Sequence, residues 1–385
     1  MRSGTYPVEF DRTGARAAHH YMDATRFAAA LAVVVGHAVG MVWGRPAGGV
    51  HDPWVWVVMQ MASFGHHAVM VFFVLSGFWV THSAMRRLSD DGFWPEFLTD
   101  RLTRLHIVIV PALAIGGLLD LLGARLFHGA VYWGGLGFVH LADGVYSHLT
   151  PAAFAGSLLF LQGFAVVPVG TNLALWSVAF EFWYYVWFAA LAVSFRRRRP
   201  SLALLTLLLG AIWPVLLLMF PVWLMGSLVY LADRRQAERP AATPREARRI
   251  LAAGALAMAL ALGLSRTGAL KTAVSDLLVG LAFSLLLWGL LRDAIGFPRW
   301  LAPVARYGAT ASYSLYVIHY PLFAFVLSAI GHGARREPDL ASLAIIVTLS
   351  ILAVAAGWLF SRATEVHTFR LRRMIRCRLR PATRG

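Results

Sequence analysis

Eight long apolar runs, separated by short segments rich in arginine, constrain the fold of this chain more than any other feature. A helix needs about 20 apolar residues to cross the hydrocarbon core of a bilayer. Runs close to that length cover residues 24–43, 55–83, 102–122, 172–195, 250–264, 272–291, 308–330 and 340–360. Only 14% of the residues are charged, too few to cover the surface of a soluble domain. The sequence therefore predicts an all-α polytopic membrane bundle and excludes most soluble, disordered and collagen-like folds.

A ninth run, residues 202–232, is long for one helix and short for two. Pro214 and Pro221 interrupt it, and proline kinks or breaks a helix interior. Arginines precede the run at 196–199 and follow it at 234–235. If both basic ends are cytoplasmic, the run must be a tight helical hairpin, about 202–216 and 218–232. We therefore predict ten transmembrane helices with both termini in the cytoplasm.

The net charge of +16 agrees with this topology. On a soluble protein it would indicate a nucleic-acid partner, but here 29 of the 35 Lys and Arg residues fall on the predicted cytoplasmic side. We predict no nucleic-acid partner. The chain then divides into a cytoplasmic segment (1–23), a transmembrane domain (24–361) and a basic cytoplasmic tail (362–385). Residues 152–167 are apolar but short, so we place them at, or dipping into, the outer face.

The first apolar run carries Arg26 and, eleven residues later, His37. Eleven residues turn an α-helix through about 1100°, so the two side chains share one face about 16 Å apart. We place Arg26 at the cytoplasmic rim and His37 near mid-membrane, where an ionisable side chain usually faces the interior or a water-filled cavity. A neutral imidazole at that depth could accept the proton of an alcohol. The alternative is a buried histidine bonded to a neighbouring carbonyl.

Three later runs add polar or charged residues of the same kind. Glu181 is the only acid of its run, and the Trp and Tyr residues around it suit an interfacial belt or a sugar platform. His319 lies about halfway across its run, two residues before Pro321. Arg101 and Arg104, three residues apart at a helix start, could bind phosphates or anchor the helix at lipid headgroups.

Taken in order, these motifs resemble the acyltransferase-3 family of integral membrane acyltransferases. The resemblance rests on Arg26-x10-His37, FFVLSGF at 72–78, Arg101 with Arg104, WSVAFEFWY at 176–184, SYSLYVIHYPL at 312–322 and Glu365. It implies about ten membrane helices and a multi-pass protein of the bacterial inner membrane. It also implies an O-acyltransferase that uses cytoplasmic acyl-CoA, commonly acetyl-CoA, and modifies a hydroxyl of a carbohydrate or glycoconjugate. The Arg26–His37 pair is implied to be needed for activity.

The polar residues and the resemblance together lead to a hypothesis for the role of each residue. We predict that Arg26, Arg101 and Arg104 hold the phosphates of acyl-CoA. His37 is predicted to act as general base toward the acceptor hydroxyl, directly or through an acyl intermediate. Glu181 and His319 are predicted to orient that base or the acceptor. No metal is predicted.

Alternatives stay open both for the oxyanion donor and for the class of function. Ser76, Tyr313 or a helix N-terminus could donate to the oxyanion. A proton-coupled transporter or flippase for a sugar or lipid-linked sugar would also suit intramembrane His and Glu, although the sequence shows no repeated halves with matched breaks. A non-catalytic membrane scaffold would not explain these buried ionisable side chains. Membrane lipids are expected partners in every case.

Overall fold

The computed structural model describes residues 13–44, 52–137, 141–198, 200–236, 242–292, 295–331 and 334–379. Over these ranges the chain forms α-helices joined by 3-10 turns and loops, without a strand. The helices are α1 Thr13–Val42, α2 Pro53–Ala62, α3 Gly65–Met85, α4 Phe93–Phe127, α5 Pro151–Leu158, α6 Trp176–Arg197, α7 Pro200–Ile212, α8 Pro214–Gln236, α9 Pro244–Arg266, α10 Thr272–Leu291, α11 Ala302–Ala329, α12 Leu340–Ala363 and α13 Thr368–Leu379. The ends of the predicted terminal segments, 1–12 and 380–385, lie outside the described residues.

The helices confirm an all-α polytopic membrane bundle. Nine segments of the described chain are long and apolar enough to cross a bilayer. They are α1, α2 with α3, α4, α6, α8, α9, α10, α11 and α12. A shorter apolar helix, α7, has 13 residues, is about 20 Å long and falls short of a full span. Nine of the ten predicted transmembrane helices therefore have the length of a span, and the tenth, α7, does not.

Contacts between helix ends show that α7 and α8 form the predicted hairpin. Arg197, just before α7, donates to the backbone carbonyl of Asp90 in the α3–α4 loop at 3.0 Å. Tyr230, near the end of α8, packs its ring against His82, near the end of α3. The start of α7 and the end of α8 therefore share one side, called the basic side below. The helices separate at Trp213 because Pro214, which has no N–H, begins the second one.

The segment between α4 and α6 returns into the bundle from the opposite side. Asp120 of α4 holds its end by accepting from the backbone N–H of Thr171 at 2.7 Å. Further in, the Phe160 carbonyl accepts from Trp183 Nε1 at 2.9 Å, and Gln162 Nε2 donates to the Leu175 carbonyl at 3.0 Å. Non-helical backbone is tolerated at membrane depth only where protein or water satisfies the hydrogen bonds of its N–H and C=O groups. The apolar stretch 152–167 dips into the bundle, as predicted.

Helices α3 and α8 cross at two glycines. Gly77 faces the backbone carbonyl of Trp223, and Gly226 faces that of Val74, so a Cβ at either position would overlap a backbone oxygen. Beside the crossing, Thr81 donates to Ser227 Oγ at 2.8 Å. Small residues let membrane helices approach closely enough for such contacts. The glycine of the FFVLSGF segment therefore has a packing role.

Replacing Gly226 by Leu is expected to destabilise the bundle strongly. The new side chain would collide with the Val74 carbonyl, and overpacking costs about 1–3 kcal/mol, occasionally more. Thermal unfolding in detergent, followed by tryptophan fluorescence, measures the effect. Gly263→Leu is the matched control, because a Cβ on that exposed glycine of α9 meets open space. Equal losses of stability in the two variants would contradict the crossing argument.

Candidate active site

His37 of α1 and His319 of α11 meet side chain to side chain inside the bundle. Nδ1 of His37 lies 2.8 Å from Nε2 of His319, and the two rings are parallel to within 6°. His319 is fully buried, whereas His37 is partly exposed. The packing of α1 against α11 therefore brings together two of the three predicted catalytic residues and leaves His37 as the accessible one.

Backbone carbonyls determine which nitrogen carries each proton. Nδ1 of His319 lies 2.7 Å from the carbonyl oxygen of Tyr316 and 3.3 Å from that of Leu315. A carbonyl only accepts, so we assign the proton of neutral His319 to Nδ1 and the lone pair to Nε2. His37 then donates from Nδ1 and keeps its own lone pair on Nε2. None of the described residues forms a hydrogen bond with this Nε2, which is the arrangement that a general base requires.

The two histidines lie at one depth although they stand at different distances from the ends of their helices. His37 lies five residues before Val42, the last residue of α1, which is about 7.5 Å of helix rise. His319 lies ten residues before the end of α11, about 15 Å. Because their ring nitrogens are 2.8 Å apart, α11 extends farther past the pair than α1 does. That the shared depth is near mid-membrane stays a prediction.

Glu181 makes no hydrogen bond with the histidine pair. Its carboxylate accepts from the hydroxyl of Tyr185, one turn along α6, at 2.5 Å. Ser76 Oγ lies 3.5 Å from the same hydroxyl and accepts from Trp223 Nε1 at 3.2 Å. The structure thus does not connect Glu181 directly to His37. It places Glu181 within a row of hydroxyl groups that includes those of Ser76 and Tyr185.

Two tyrosines of α11 continue this row toward His319. The hydroxyl oxygen of Tyr316 lies 2.7 Å from Ser177 Oγ. The ring of Tyr316 lies beside that of His319, with centroids 5.9 Å apart. The hydroxyl of Tyr313 is buried without a hydrogen-bond partner among the described residues. The hydroxyls of both tyrosines are close enough to the Glu181 carboxylate to interact with it electrostatically. An unpaired buried hydroxyl is costly, and a developing oxyanion would satisfy it.

The three predicted anion-binding arginines gather at the basic side. Arg101 donates to Ser83 Oγ at 2.6 Å and lies over the ring of Tyr185, and its Nε is buried without a partner among the described residues. Arg104 is exposed and within electrostatic range of Arg101. Arg26 and Arg104 are both within electrostatic range of Glu365. The cluster fits a polyanionic ligand, because a guanidinium donor there still lacks an acceptor.

Part of the basic tail packs beside the arginine cluster, which was not predicted from the sequence. Asp100, at the start of α4, accepts from Arg376 of α13 at 2.6 Å and from Arg87 at 3.1 Å. Arg372 of α13 also lies 3.1 Å from Asp100 and donates to its backbone carbonyl at 3.2 Å. These bonds hold α13 against α4 beside Arg101. The four-residue spacing of Arg372 and Arg376, which puts both on one helix face, was the available signal.

Comparison with known families agrees with the extent of the helical domain. A family model described as an acyltransferase domain matches residues 19–362. This range contains both histidines of the pair, Glu181 and the three arginines, and it ends one residue before the end of α12. Helix α13 lies beyond it. No curated protein and no solved structure matches the chain.

Proposed function

Because the chain belongs to the acyltransferase-3 family of membrane O-acyltransferases, we propose that it transfers an acyl group from cytoplasmic acyl-CoA to a carbohydrate or glycoconjugate hydroxyl. Acetyl is the proposed acyl group, as is common in the family. The observation that carries the proposal is the hydrogen bond between His37 and His319, which leaves a lone pair on the partly exposed His37. The basic side corresponds to the cytoplasmic face, and the acceptor approaches from the opposite side.

The proposed reaction begins with proton transfer to His37. As the acceptor oxygen attacks the thioester carbonyl, its proton moves to Nε2 of His37. The Nδ1–H of the imidazolium strengthens its hydrogen bond to His319, because bonds from charged donors are stronger than neutral ones. Collapse of the tetrahedral intermediate breaks the carbon–sulfur bond, and the departing thiolate takes up the proton. The products are the ester and free CoA.

Tyr313 is our candidate for the oxyanion donor. Of the two side chains considered for this role, Ser76 already engages Trp223 and Tyr185, whereas the buried hydroxyl of Tyr313 lacks a partner among the described residues. Donation to the carbonyl oxygen would be stronger in the tetrahedral intermediate than in the thioester, so it would lower the barrier.

The donor site at the basic side makes a separate prediction. Arg104→Gln is expected to raise the KM for acetyl-CoA about 10-fold with little change in kcat, because a hydrogen bond to a charged group contributes about 1.5–3 kcal/mol. Steady-state kinetics at saturating acceptor measure it. Arg125→Gln is the control, since Arg125 is an exposed arginine in the last turn of the same helix, on the opposite side. A similar rise in KM in both variants would argue against a specific anion site.

The direct test of the function uses the purified protein in nanodiscs with radiolabelled acetyl-CoA and a panel of glycans. Label appearing in glycan as a base-labile ester, with one free CoA released per ester, is the expected result. Movement of a sugar across liposome membranes without CoA release would instead favour a carrier. Neither ester nor CoA formation with any acyl-CoA would contradict the proposal.

A further inference from the structure

A histidine–carboxylate pair lies on the side of the bundle opposite the basic side. Nε2 of His66, the second residue of α3, lies 2.8 Å from Oδ1 of Asp276 in α10. His67 Nε2 is 3.3 Å from Ser275 Oγ beside it. The far end of α10 lies on the basic side, where Arg292 pairs with Asp233 of α8 at 2.7 Å. Asp276, four residues after α10 begins, is therefore near its outer end.

The pair leaves hydrogen-bonding capacity unused. Asp276 is only 1% exposed, and its Oδ2 is buried without a partner among the described residues. Nδ1 of His67 is also buried without one. A carboxylate within a membrane helix is costly, and the bond to His66 satisfies only one of its oxygens. If the pair served only to join α3 to α10, the second oxygen would keep an uncompensated desolvation cost.

Two sets of contacts connect the pair to the His37 site. The ring of Trp176 lies within 20° of parallel to that of His66, with centroids 6.5 Å apart. The next residue, Ser177, forms a hydrogen bond with the hydroxyl of Tyr316, whose ring lies beside that of His319. On the other flank, the residues preceding His37 and His66 are glycines that touch: a Cβ on Gly36 would lie 3.6 Å from the Cα of Gly65. The pair therefore borders the catalytic histidines on their outer side.

We propose that His66, Asp276 and Trp176 form the binding site for the acceptor, and that the acceptor is an uncharged, polyhydroxylated ring. Oδ2 of Asp276 accepts a hydrogen bond from a ring hydroxyl, and the indole of Trp176 covers an apolar face of the ring. A carboxylate repels an anionic acceptor, so neutral sugars are favoured over acidic ones. This inference rests on the proposed function and specifies the acceptor class for it.

Substitutions at the pair test the inference through the KM for acceptor. The probes are methyl glucoside, methyl galactoside, methyl mannoside and methyl glucuronide, each with saturating radiolabelled acetyl-CoA. For the neutral glycoside that wild type esterifies best, Asp276→Asn and Trp176→Leu are expected to raise KM about 10-fold or more. The KM for acetyl-CoA should stay within about twofold of wild type. Trp176→Phe, which keeps an aromatic face, should recover most of the loss seen with Leu.

A matched control separates binding from structure. Ser284→Ala removes another buried polar group of α10, which donates to the Gly280 carbonyl, and should leave both KM values unchanged. If Asp276→Asn lowers the melting temperature but leaves the acceptor KM unchanged, the pair is structural and the inference is wrong. A preference for the glucuronide, or CoA release in which no neutral glycoside is esterified, also overturns it while the acyltransferase activity stands. Absence of any CoA release by wild type removes the proposed function and the inference together.

Discussion

Replacing His37 by Ala is expected to lower kcat for acyl transfer by about 100- to 10,000-fold, the range for loss of a general base. The structure gives the reason: His37 is the partly exposed member of the histidine pair, and Nε2 holds its lone pair. The KM for acetyl-CoA should change little, because the arginine cluster lies about 16 Å along α1 from His37, at Arg26. Initial rates of ester formation from radiolabelled acetyl-CoA measure both parameters.

Two further variants make this prediction specific. His37→Gln keeps a side chain of similar reach that can still donate to His319, but it supplies no basic nitrogen, so its kcat should fall as far as that of His37→Ala. His367→Ala removes an exposed histidine near the basic side and should behave like wild type. If His37→Gln retained a third or more of wild-type kcat, His37 would not be the base.

The helices were predictable because apolar length and flanking arginines are local properties of a sequence. Residues 26 and 37 share one uninterrupted helix, as their spacing predicted. The start of α1 was not predicted: the helix begins at Thr13, eleven residues before the predicted span, so it extends farther on the basic side than expected. Apolar composition marks the part of a helix that suits lipid but does not define where the helix begins.

The partners of the polar residues were harder to predict. Burying Glu181 without a hydrogen bond would be costly, so the sequence predicts that some group donates to its carboxylate. Tyr185 was a visible candidate, because it lies four residues later on the same helix face. The contact between His37 and His319 joins residues 282 positions apart and depends on which helices pack together. His66 and Asp276 gave still less signal, because they lie 210 positions apart and only the packing of α3 against α10 brings them together.

Replacing His319 by Leu is expected to lower kcat by about 100-fold or more, although this residue is fully buried behind the partly exposed His37. The substitution removes the acceptor for the Nδ1–H of His37 and leaves that donor and the Tyr316 carbonyl without their partner. The other tautomer of His37 then becomes accessible, with its proton on the nitrogen that must act as base. In serine proteases, loss of the group that holds the catalytic histidine in its tautomer costs about 10,000-fold in kcat.

The Gln variant distinguishes a positioning role for His319 from a direct chemical one. In His319→Gln, the side-chain oxygen can accept from His37 while the amide N–H donates to the Tyr316 carbonyl, so both hydrogen bonds of the wild type can be kept. If His319 acts by holding His37 in one tautomer, His319→Gln should retain kcat within about 10-fold of wild type, with KM values unchanged. If His319 carried the proton itself, Gln and Leu would lose activity equally, since neither has a basic nitrogen. The melting temperatures of both variants show whether a loss of activity is due to misfolding. If the melting temperatures are equal, a higher kcat in the Gln variant assigns positioning to His319 and proton transfer to His37.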